Sequence, residues 1–317
     1  MAPDSRVTVR GGRLDRLLAG LHVDLGRRDH RDAVFLAGSG RSGTTWISDV
    51  INYGGDYRFI FEPFCPAEVG AFANFTSKQY LRPADRREEY LAPAREVLTG
   101  GLRSPWTDRF HRAFLARRRL IKDIRANLLL GWMRANFPGM PIILLLRHPL
   151  AVVASRLALR WKDNLSETLS QAELLEDFLR PMEIEIRGAR DAFERHLFLW
   201  CIDNYVPLMQ LAPGEIHLAF YEHFVADPEA ETGRLFAFLG HETDEHARRA
   251  LARPSPLARR DAASGVRPLD AWRRSLTEVR LRRAVEILGL FGLDRVYGDD
   301  AMPDPSGAVA LMREERA

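Results

Sequence analysis

A glycine-rich segment that follows a short apolar run is the feature that most constrains this chain of 317 residues. The run AVFLAG, residues 33 to 38, has the composition of a buried β-strand, and GSGRSGTT, residues 38 to 45, continues from its last glycine. A helix is expected to begin near Thr44, so exposed backbone N–H groups and the helix dipole would meet at this turn. The segment therefore predicts a strand, a tight loop and a helix that together bind an anion.

Short apolar runs alternate along the chain with segments of helical period, which is typical of a parallel sheet with crossover helices. We predict an α/β protein with a P-loop-type three-layer fold, in which helices flank a central parallel sheet of about five strands. The run IILLL is continuously apolar, as expected of a strand buried on both faces. The predicted strands are residues 33 to 38, 58 to 61, 119 to 123, 141 to 147 and 215 to 222, and the predicted helices are residues 43 to 53, 150 to 161, 167 to 178, 192 to 211, 229 to 239, 243 to 252 and 277 to 289.

The pattern fits a single domain over residues 31 to 298, preceded by an Arg-rich extension at residues 1 to 30. Two stretches rich in Pro, Gly and charged residues, 66 to 110 and 253 to 274, are interpreted as loops that cover bound ligands. Residues 299 to 317 are interpreted as a C-terminal tail with little to pack against.

Composition argues against several other classes of protein. Lys and Arg number 46 against 43 Asp and Glu, so the net charge of +3 provides no concentrated basic patch for nucleic acid. Cys65 and Cys201 lie far apart and no His and Cys cluster has metal-ligand spacing, so neither a disulfide framework nor a metal site is predicted. No apolar run reaches the ~20 residues that span a bilayer. We expect a soluble cytoplasmic protein, and the sequence carries no signal for its oligomeric state.

The glycine-rich segment has the spacing of a nucleotide-binding P-loop, GxxxxGK[ST], with one exception. Thr44 stands where nucleotide-hydrolysing enzymes have the lysine that reaches the β and γ phosphates, while Arg41 brings a cation into the loop. The later strand IILLL is followed by Arg147 rather than by an Asp that would help to hold Mg²⁺. The pattern therefore indicates a donor with two separated anionic groups, bound without a metal.

Four segments occur in an order that resembles one family. They are GSGRSGTTW at residues 38 to 46, LIKDIR, RHPLAVVASR at 147 to 156, and FYEHFVADPEAETGRLFAFLG at 220 to 240. The first is similar to the 5'-phosphosulfate loop of the sulfotransferase family, and the third is similar to its 3'-phosphate motif. The resemblance covers roughly residues 33 to 240, and it is closer to the bacterial, carbohydrate-type branch.

The resemblance implies transfer of a sulfuryl group from 3'-phosphoadenosine 5'-phosphosulfate to a hydroxyl or amine acceptor, with 3'-phosphoadenosine 5'-phosphate as the product and no metal. The acceptor would be a small molecule or a glycan, and polyhydroxylated molecules are favoured. Trp46 would stack on the adenine ring. The residues expected to bind the donor are Ser39, Gly40, Arg41, Ser42, Gly43, Thr44, Thr45, Trp46, Arg147, Ser155 and Tyr221.

Three residues are predicted to be catalytic. Arg41 would stabilise the negative charge that develops on the breaking bond, and Lys122 would lie near the sulfuryl group. Many family members read KTH on this strand, with the histidine as base, whereas this chain has Lys122, Asp123 and Ile124. Glu62, in FIFEPF, would take the acceptor proton if burial raises its pKa toward neutrality, and Asp123 is the alternative base.

Two other functions stay open on the sequence. A P-loop kinase that acts on a small metabolite would turn over ATP with Mg²⁺, and Thr44 in place of lysine counts against it. An inactive nucleotide-binding protein with the same fold would bind 3'-phosphoadenosine 5'-phosphate without any transfer. The presence of Arg41, Glu62 and Lys122 together counts against that alternative.

Overall fold

The computed structural model describes residues 23–241 and 269–314. The strands within them are β1 (Val23–Asp24), β2 (Ala33–Ala37), β3 (Tyr57–Phe61), β4 (Leu115–Ala116), β5 (Arg118–Asp123), β6 (Ile142–Leu146) and β7 (His217–Phe220). Five of these strands form one parallel sheet in the order β3, β5, β2, β6, β7, and the two short strands β1 and β4 form a separate parallel pair. The predicted fold class and all five predicted strands are confirmed.

Both faces of the sheet are covered, which explains the continuous apolar runs. Every residue of β2 and β6 is buried. Because successive side chains of a strand point to opposite faces, Phe35 and Leu144 belong to one apolar cluster, while Leu36 and Ile143 belong to the other. Two hydrophobic layers therefore hold the sheet between helices.

Helices cover the sheet and build the rest of the described residues. They are α1 (Thr44–Ile51), α2 (Glu88–Leu98), α3 (Leu130–Asn136), α4 (Pro149–Ala158), α5 (Leu165–Thr168), α6 (Ala172–Leu174), α7 (Glu183–Arg187), α8 (Ala192–Gln210), α9 (Tyr221–Ala226), α10 (Pro228–Leu239), α11 (Glu278–Leu290) and α12 (Pro305–Arg313). A π-helical turn, Leu175–Leu179, continues α6. Side-chain oxygens of Asp191 and Thr277 accept backbone N–H groups at the starts of α8 and α11, as N-caps do.

Two predictions about irregular segments differ from the structure. Residues 66 to 110 include α2, and Phe72 and Leu81 in this stretch are fully buried, so much of it belongs to the core. The prediction of a tail with little to pack against is wrong for α12, whose Ala308 and Leu311 are buried against α8.

Other predictions fall partly outside the described residues. These are the extension before residue 23, the helix at 243 to 252 and most of the basic loop at 253 to 274. The described end of that loop enters a 3-10 turn, Ala271–Ser275, in which Trp272 is buried. Across residues 23–241 and 269–314, no helix combines the length and the apolar composition that crossing a bilayer requires.

Candidate active site

The candidate site lies at the carboxyl edge of the sheet, between the ends of β2 and β6. The chain leaves β2 through α1 toward β3 on one side of the sheet, whereas it leaves β6 toward β7 on the other. In open α/β sheets, the point where neighbouring connections diverge in this way forms the ligand crevice. Gly38 follows β2 and Arg147 follows β6 directly, so both predicted phosphate motifs reach this crevice.

Close packing determines the shape of the glycine-rich loop. Gly43 has a φ of 95°, and a Cβ at this position would lie 2.5 Å from the ring of Tyr221. A Cβ on Gly40 would lie 2.6 Å from the ring of Trp161. The helix α1 begins at Thr44, as predicted, and the Gly43 carbonyl oxygen accepts the N–H of Ile47 at 3.2 Å. The loop therefore needs glycine at both positions, since a side chain at either one would prevent the backbone from following this path into α1.

The residues predicted to bind the 5'-phosphosulfate and those predicted to bind the 3'-phosphate contact one another in the structure. Arg41 Nε donates a hydrogen bond to Ser155 Oγ at 2.9 Å, and Arg147 donates to the carbonyl oxygen of Arg41 at 3.0 Å. The guanidinium of Arg147 also lies over Tyr221, 4.1 Å from the ring centre. Four residues that were singled out from distant parts of the sequence thus surround one point of the crevice.

Two predicted donor residues, Trp46 and Tyr221, pack against each other. Their rings meet edge to face with centres 5.6 Å apart, and Trp46 also meets Phe224 at 6.2 Å. The indole N–H of Trp46 is buried and has no hydrogen-bond partner among the described residues. Tyr221 begins α9, so the predicted strand at 215 to 222 ends two residues earlier, at Phe220.

The residue after Tyr221 fixes this corner of the site. Glu222 is buried, and its carboxylate accepts the backbone N–H of His148 at 2.8 Å and the hydroxyl of Tyr297 at 3.0 Å. It therefore ties the start of α9 to the chain that follows β6. Because Arg147 precedes His148, the same bond holds Arg147 beside Tyr221.

Glu62 is buried at the end of β3 and bound by two cations. Lys122 Nζ donates to its Oε1 at 2.5 Å, and Arg125 donates to its Oε2 at 2.7 Å. Burial alone would raise the pKa of Glu62, but the charges of Lys122 and Arg125 outweigh it and hold the pKa below the ordinary 4.5. The expectation that burial raises this pKa toward neutrality is wrong, because Arg125, at the end of LIKDIR, adds a second cation to Lys122.

The carboxylate of Asp123, the alternative base, accepts hydrogen bonds from backbone N–H groups. Its two carboxylate oxygens accept the N–H of Phe64 at 2.9 Å and the N–H of Arg125 at 2.7 Å. The side chain is completely buried, and this burial raises the pKa of Asp123 to about 6. The carboxylate thus joins the chain after β3 to the chain after β5, which places Glu62 beside Arg125.

A buried hub beneath the loop consists of Asp203, Lys78, Arg156 and Ser39, and only Ser39 was predicted. Asp203, on α8, accepts the Ser39 hydroxyl at 2.6 Å, contacts the ammonium of Lys78 and lies 3.8 Å from the guanidinium of Arg156. Arg156 Nε also donates to the carbonyl oxygen of Gly40 at 3.2 Å. The sequence signal for the hub is an Asp within the apolar run LFLWCIDNYVPL.

Cations outnumber carboxylates around the crevice, because Arg41 and Arg147 add to a hub in which Lys78 and Arg156 face the single carboxylate of Asp203. Each of the two carboxylates, Glu62 and Asp203, contacts two cations. The carboxylates therefore do not cancel all of the positive charge, and the remaining charge attracts an anionic ligand. Across the described residues, His, Cys, Asp and Glu side chains form no group of three that could hold a metal ion.

Aromatic residues from the end of β3 and the segment that follows it fall into two sets. Phe64, Phe72 and Phe75 are buried in the core. Phe61, Trp106 and Phe110 instead form a half-buried wall, in which the Phe61 ring centre lies 5.5 Å from Trp106 and 4.7 Å from Phe110. Lys122 Nζ lies 4.8 Å from the centre of the Phe61 ring, so the wall adjoins Lys122 and Glu62.

The chain is similar to known proteins of one family. Similar folds occur in the sulfotransferase domain of the Synechococcus PCC 7002 olefin synthase (18% identity, 82% of this chain and 94% of that chain covered, TM-score 0.46) and in mouse sulfotransferase SULT7A1 complexed with PAP (16%, 87% and 88%, 0.46). No curated protein matches the chain. The family model described as "Sulfotransferase family" matches residues 33–245, more than half of the chain, and the chain therefore belongs to the sulfotransferase family.

Proposed function

We propose that the protein transfers a sulfuryl group from 3'-phosphoadenosine 5'-phosphosulfate to a hydroxyl or amine, with a glycan or another polyhydroxylated metabolite as the acceptor. The observation that carries the proposal is the meeting of the glycine-rich loop with Arg41, Arg147 and Ser155 in one crevice. This arrangement suits a donor with two separated anionic groups, and it has no lysine at position 44 for a nucleoside triphosphate.

In this proposal the loop and the start of α1 bind the 5'-phosphosulfate. Backbone N–H groups of residues 39 to 45 and the helix dipole favour an anion there. The hydroxyl of Ser42 is buried without a hydrogen-bond partner among the described residues, and a phosphate oxygen would satisfy it. The Ser39 hydroxyl is already bonded to Asp203, so Ser39 would contribute its backbone N–H.

Arg147 and Ser155 would hold the 3'-phosphate, because a guanidinium and a hydroxyl supply charge-assisted and neutral donors at the same point. Binding of that phosphate would compete with the hydrogen bond that Arg41 donates to Ser155. Arg41 would then be released toward the phosphosulfate. Trp46 and Tyr221 would border the adenine ring.

The proposed reaction is an in-line displacement at sulfur. The acceptor oxygen or nitrogen forms a bond to sulfur, the bond from sulfur to the bridging oxygen breaks, and its electron pair leaves with the 5'-phosphate. Arg41 and Lys122 would stabilise the charge on the departing oxygen. Glu62 would take the acceptor proton. The ammonium of Lys122 has three N–H donors, so it can bind Glu62 and the donor together, and Glu62 stays ionised and able to take the proton.

The acceptor would lie against the wall formed by Phe61, Trp106 and Phe110. This wall adjoins Lys122 and Glu62, the two groups that would act on the acceptor and on the sulfuryl group. Binding sites for small molecules are commonly lined by aromatic side chains with a few polar groups that fix orientation. A ring-shaped acceptor could therefore stack on the wall and direct one hydroxyl toward Glu62.

Transfer of radiolabelled sulfate from the donor to a panel of sugars and small hydroxylated molecules tests the proposal. We expect Arg41→Ala to lower kcat by roughly 10²–10³-fold, as the loss of an oxyanion donor does. Glu62→Gln should lower it by roughly 10²–10⁴-fold while the variant still binds 3'-phosphoadenosine 5'-phosphate.

Arg86→Ala is a suitable control, because Arg86 is exposed and lies outside the crevice. Sulfuryl transfer that is unimpaired in both Arg41→Ala and Arg147→Ala would contradict the phosphate assignments. Turnover of ATP that depends on Mg²⁺ would indicate a kinase instead.

A further inference from the structure

Lys78 shares an unusual backbone geometry with two predicted catalytic residues. Its φ is 64°, while Arg41 has a φ of 80° and Glu62 a φ of 41°. Residues other than glycine rarely adopt this left-handed region, which costs about 1–3 kcal/mol and is concentrated at functional sites. Arg160, the other such residue among those described, is exposed just after the end of α4. The geometry therefore points to Lys78 as part of the site.

The surrounding structure imposes this conformation on both sides of Lys78. Gln171 Nε2 donates to the carbonyl oxygen of Lys78 at 3.1 Å, and its Oε1 accepts the N–H of Tyr80 at 2.7 Å. Glu167 accepts the N–H of Ser77 at 3.0 Å. The backbone of Ser77, Lys78 and Tyr80 is thus held by α5 and by the residue before α6, and this support fixes the direction of the Lys78 side chain.

The ammonium of Lys78 is directed to Asp203, beneath the glycine-rich loop. Lys78 is buried, and it donates to both carboxylate oxygens of Asp203. Asp203 also accepts the hydroxyl of Ser39, and the main-chain carbonyl of Asp203 accepts Asn127 Nδ2 at 3.1 Å. A single carboxylate therefore joins Lys78, from the segment 66 to 110, to Ser39 in the glycine-rich loop.

Charge provides a second reason for Lys78 to act on the loop. The Asp203 carboxylate lies 2.6 Å from the Ser39 hydroxyl, close to where an anionic donor would bind. Two negative charges repel each other strongly in a poorly solvated interior. Arg156 approaches Asp203 only to 3.8 Å, so Lys78 is the cation in direct hydrogen-bond contact with this carboxylate. Without Lys78, only the longer contact with Arg156 would offset the charge of Asp203, and donor binding would be weaker.

We propose that Lys78 is a positioning residue for the donor. Through Asp203 and Ser39 it fixes the backbone of residues 39 to 41 in the conformation that binds the phosphosulfate, and it offsets the charge of Asp203. The identity of the donor rests on the proposed function, whereas the effect of Lys78 on the loop does not. Lys78 touches neither the sulfuryl group nor the acceptor in this proposal.

The first test measures the affinity for 3'-phosphoadenosine 5'-phosphate by calorimetry in the wild type, Lys78→Met, Ser39→Ala and the double variant. We expect about tenfold weaker binding in each single variant, a loss of ~1.4 kcal/mol. Because both changes interrupt one connection, the double variant should bind no more weakly than the weaker single variant. The KM for the acceptor should stay the same. Wild-type affinity in Lys78→Met, or losses that multiply in the double variant, would overturn the proposal.

Arg119→Met is the matched control. Arg119 is buried and paired with Asp24, but it lies at the amino end of β5, opposite the crevice. We expect this variant to lower the melting temperature without changing the affinity for the nucleotide. Lys78→Gln removes the charge but can keep one hydrogen bond to Asp203, and it replaces Lys78→Met if that variant does not fold.

The second test needs no nucleotide. Hydrogen exchange of the backbone amides in residues 38 to 45 should be faster in Lys78→Met than in the wild type, and unchanged in Arg119→Met. Equal exchange in Lys78→Met and the wild type would overturn the role of Lys78. If the wild type fails to bind 3'-phosphoadenosine 5'-phosphate but the loop still exchanges faster in Lys78→Met, the proposed donor is wrong and the positioning role stands.

Discussion

Neighbouring carboxyl groups in the site have opposite pKa shifts, and their partners explain the difference. Glu62 is bound by Lys122 and Arg125, whose charges stabilise its ionised form and hold its pKa below the ordinary value. Asp123 is completely buried, and its own oxygens accept backbone N–H groups, which compensate less, so burial raises its pKa to about 6. The two groups that could serve as the base therefore titrate in different pH ranges.

This difference predicts which pH profile identifies the base. If Glu62 is the base, kcat/KM for the acceptor at saturating donor should stay constant on going from neutral pH down past pH 6, and fall only below pH 4.5, because the ionised form persists. A base with the pKa of Asp123 would instead give an acid limb near pH 6. Measurement of initial rates from pH 4 to pH 8, with circular dichroism as the check on folding, separates the two.

Single residues also show what the sequence could predict of the site. Arg41, Arg147 and Ser155 were predicted from motifs, and the structure brings them together because the ends of β2 and β6 adjoin. Their contacts with a donor stay predictions. Lys78 and Asp203 could not be predicted as partners, since they lie 125 residues apart and only the packing of α8 under the loop joins them.

The strands and helices differ in how well their own residues predict them. The strands β2 and β6 were predictable because each is a continuous apolar run that is buried on both faces, and β3, β5 and β7 were predictable because each contains a shorter apolar segment. The helix α2 was missed because Pro93 interrupts its pattern, although the chain continues as helix through it. The helix α12 was missed because it is short and contains Gly307, and its formation depends on packing against α8.

The packing of α12 gives a stability prediction. Leu311 is 1% exposed, so Leu311→Ala should lower the free energy of unfolding by about 2–5 kcal/mol through lost burial and a residual cavity. Leu290→Ala is the control: this leucine is 39% exposed and should change stability by about 0.5 kcal/mol or less. Urea denaturation followed by circular dichroism measures both. Equal midpoints for Leu311→Ala and the wild type would mean that α12 is not part of the folded core.

In the whole molecule, the site draws on segments that are distant in the chain. The glycine-rich loop, Glu62, Lys78, Arg147 and Asp203 come from five parts of the described chain and meet at one edge of the sheet. A donor that binds to the loop and Arg147, while Lys78 and Asp203 support the loop, stabilises the folded chain over the unfolded chain, which lacks the site. Donor binding and global stability should therefore be linked.

The link predicts a shift in thermal unfolding. At a concentration 100 times its Kd, 3'-phosphoadenosine 5'-phosphate should raise the free energy of unfolding by about 2.7 kcal/mol, which is seen as an increase of several degrees in Tm. At the same concentration, adenosine 5'-phosphate, which has no 3'-phosphate, should give a smaller increase, and Arg147→Ala should abolish the difference between the two nucleotides. Equal shifts with both nucleotides in the wild type would exclude a separate 3'-phosphate site at Arg147.

The left-handed backbone at Arg41, Glu62 and Lys78 sets a limit on how the protein can be made more heat-resistant. Glycine adopts this conformation without the steric penalty that other residues bear. Glycine would relieve the strain at each position, but at Glu62 and Lys78 it would leave buried partner charges unpaired, and at all three positions it would remove a charged group of the site. Gains in resistance that leave the crevice intact have to come from other parts of the chain.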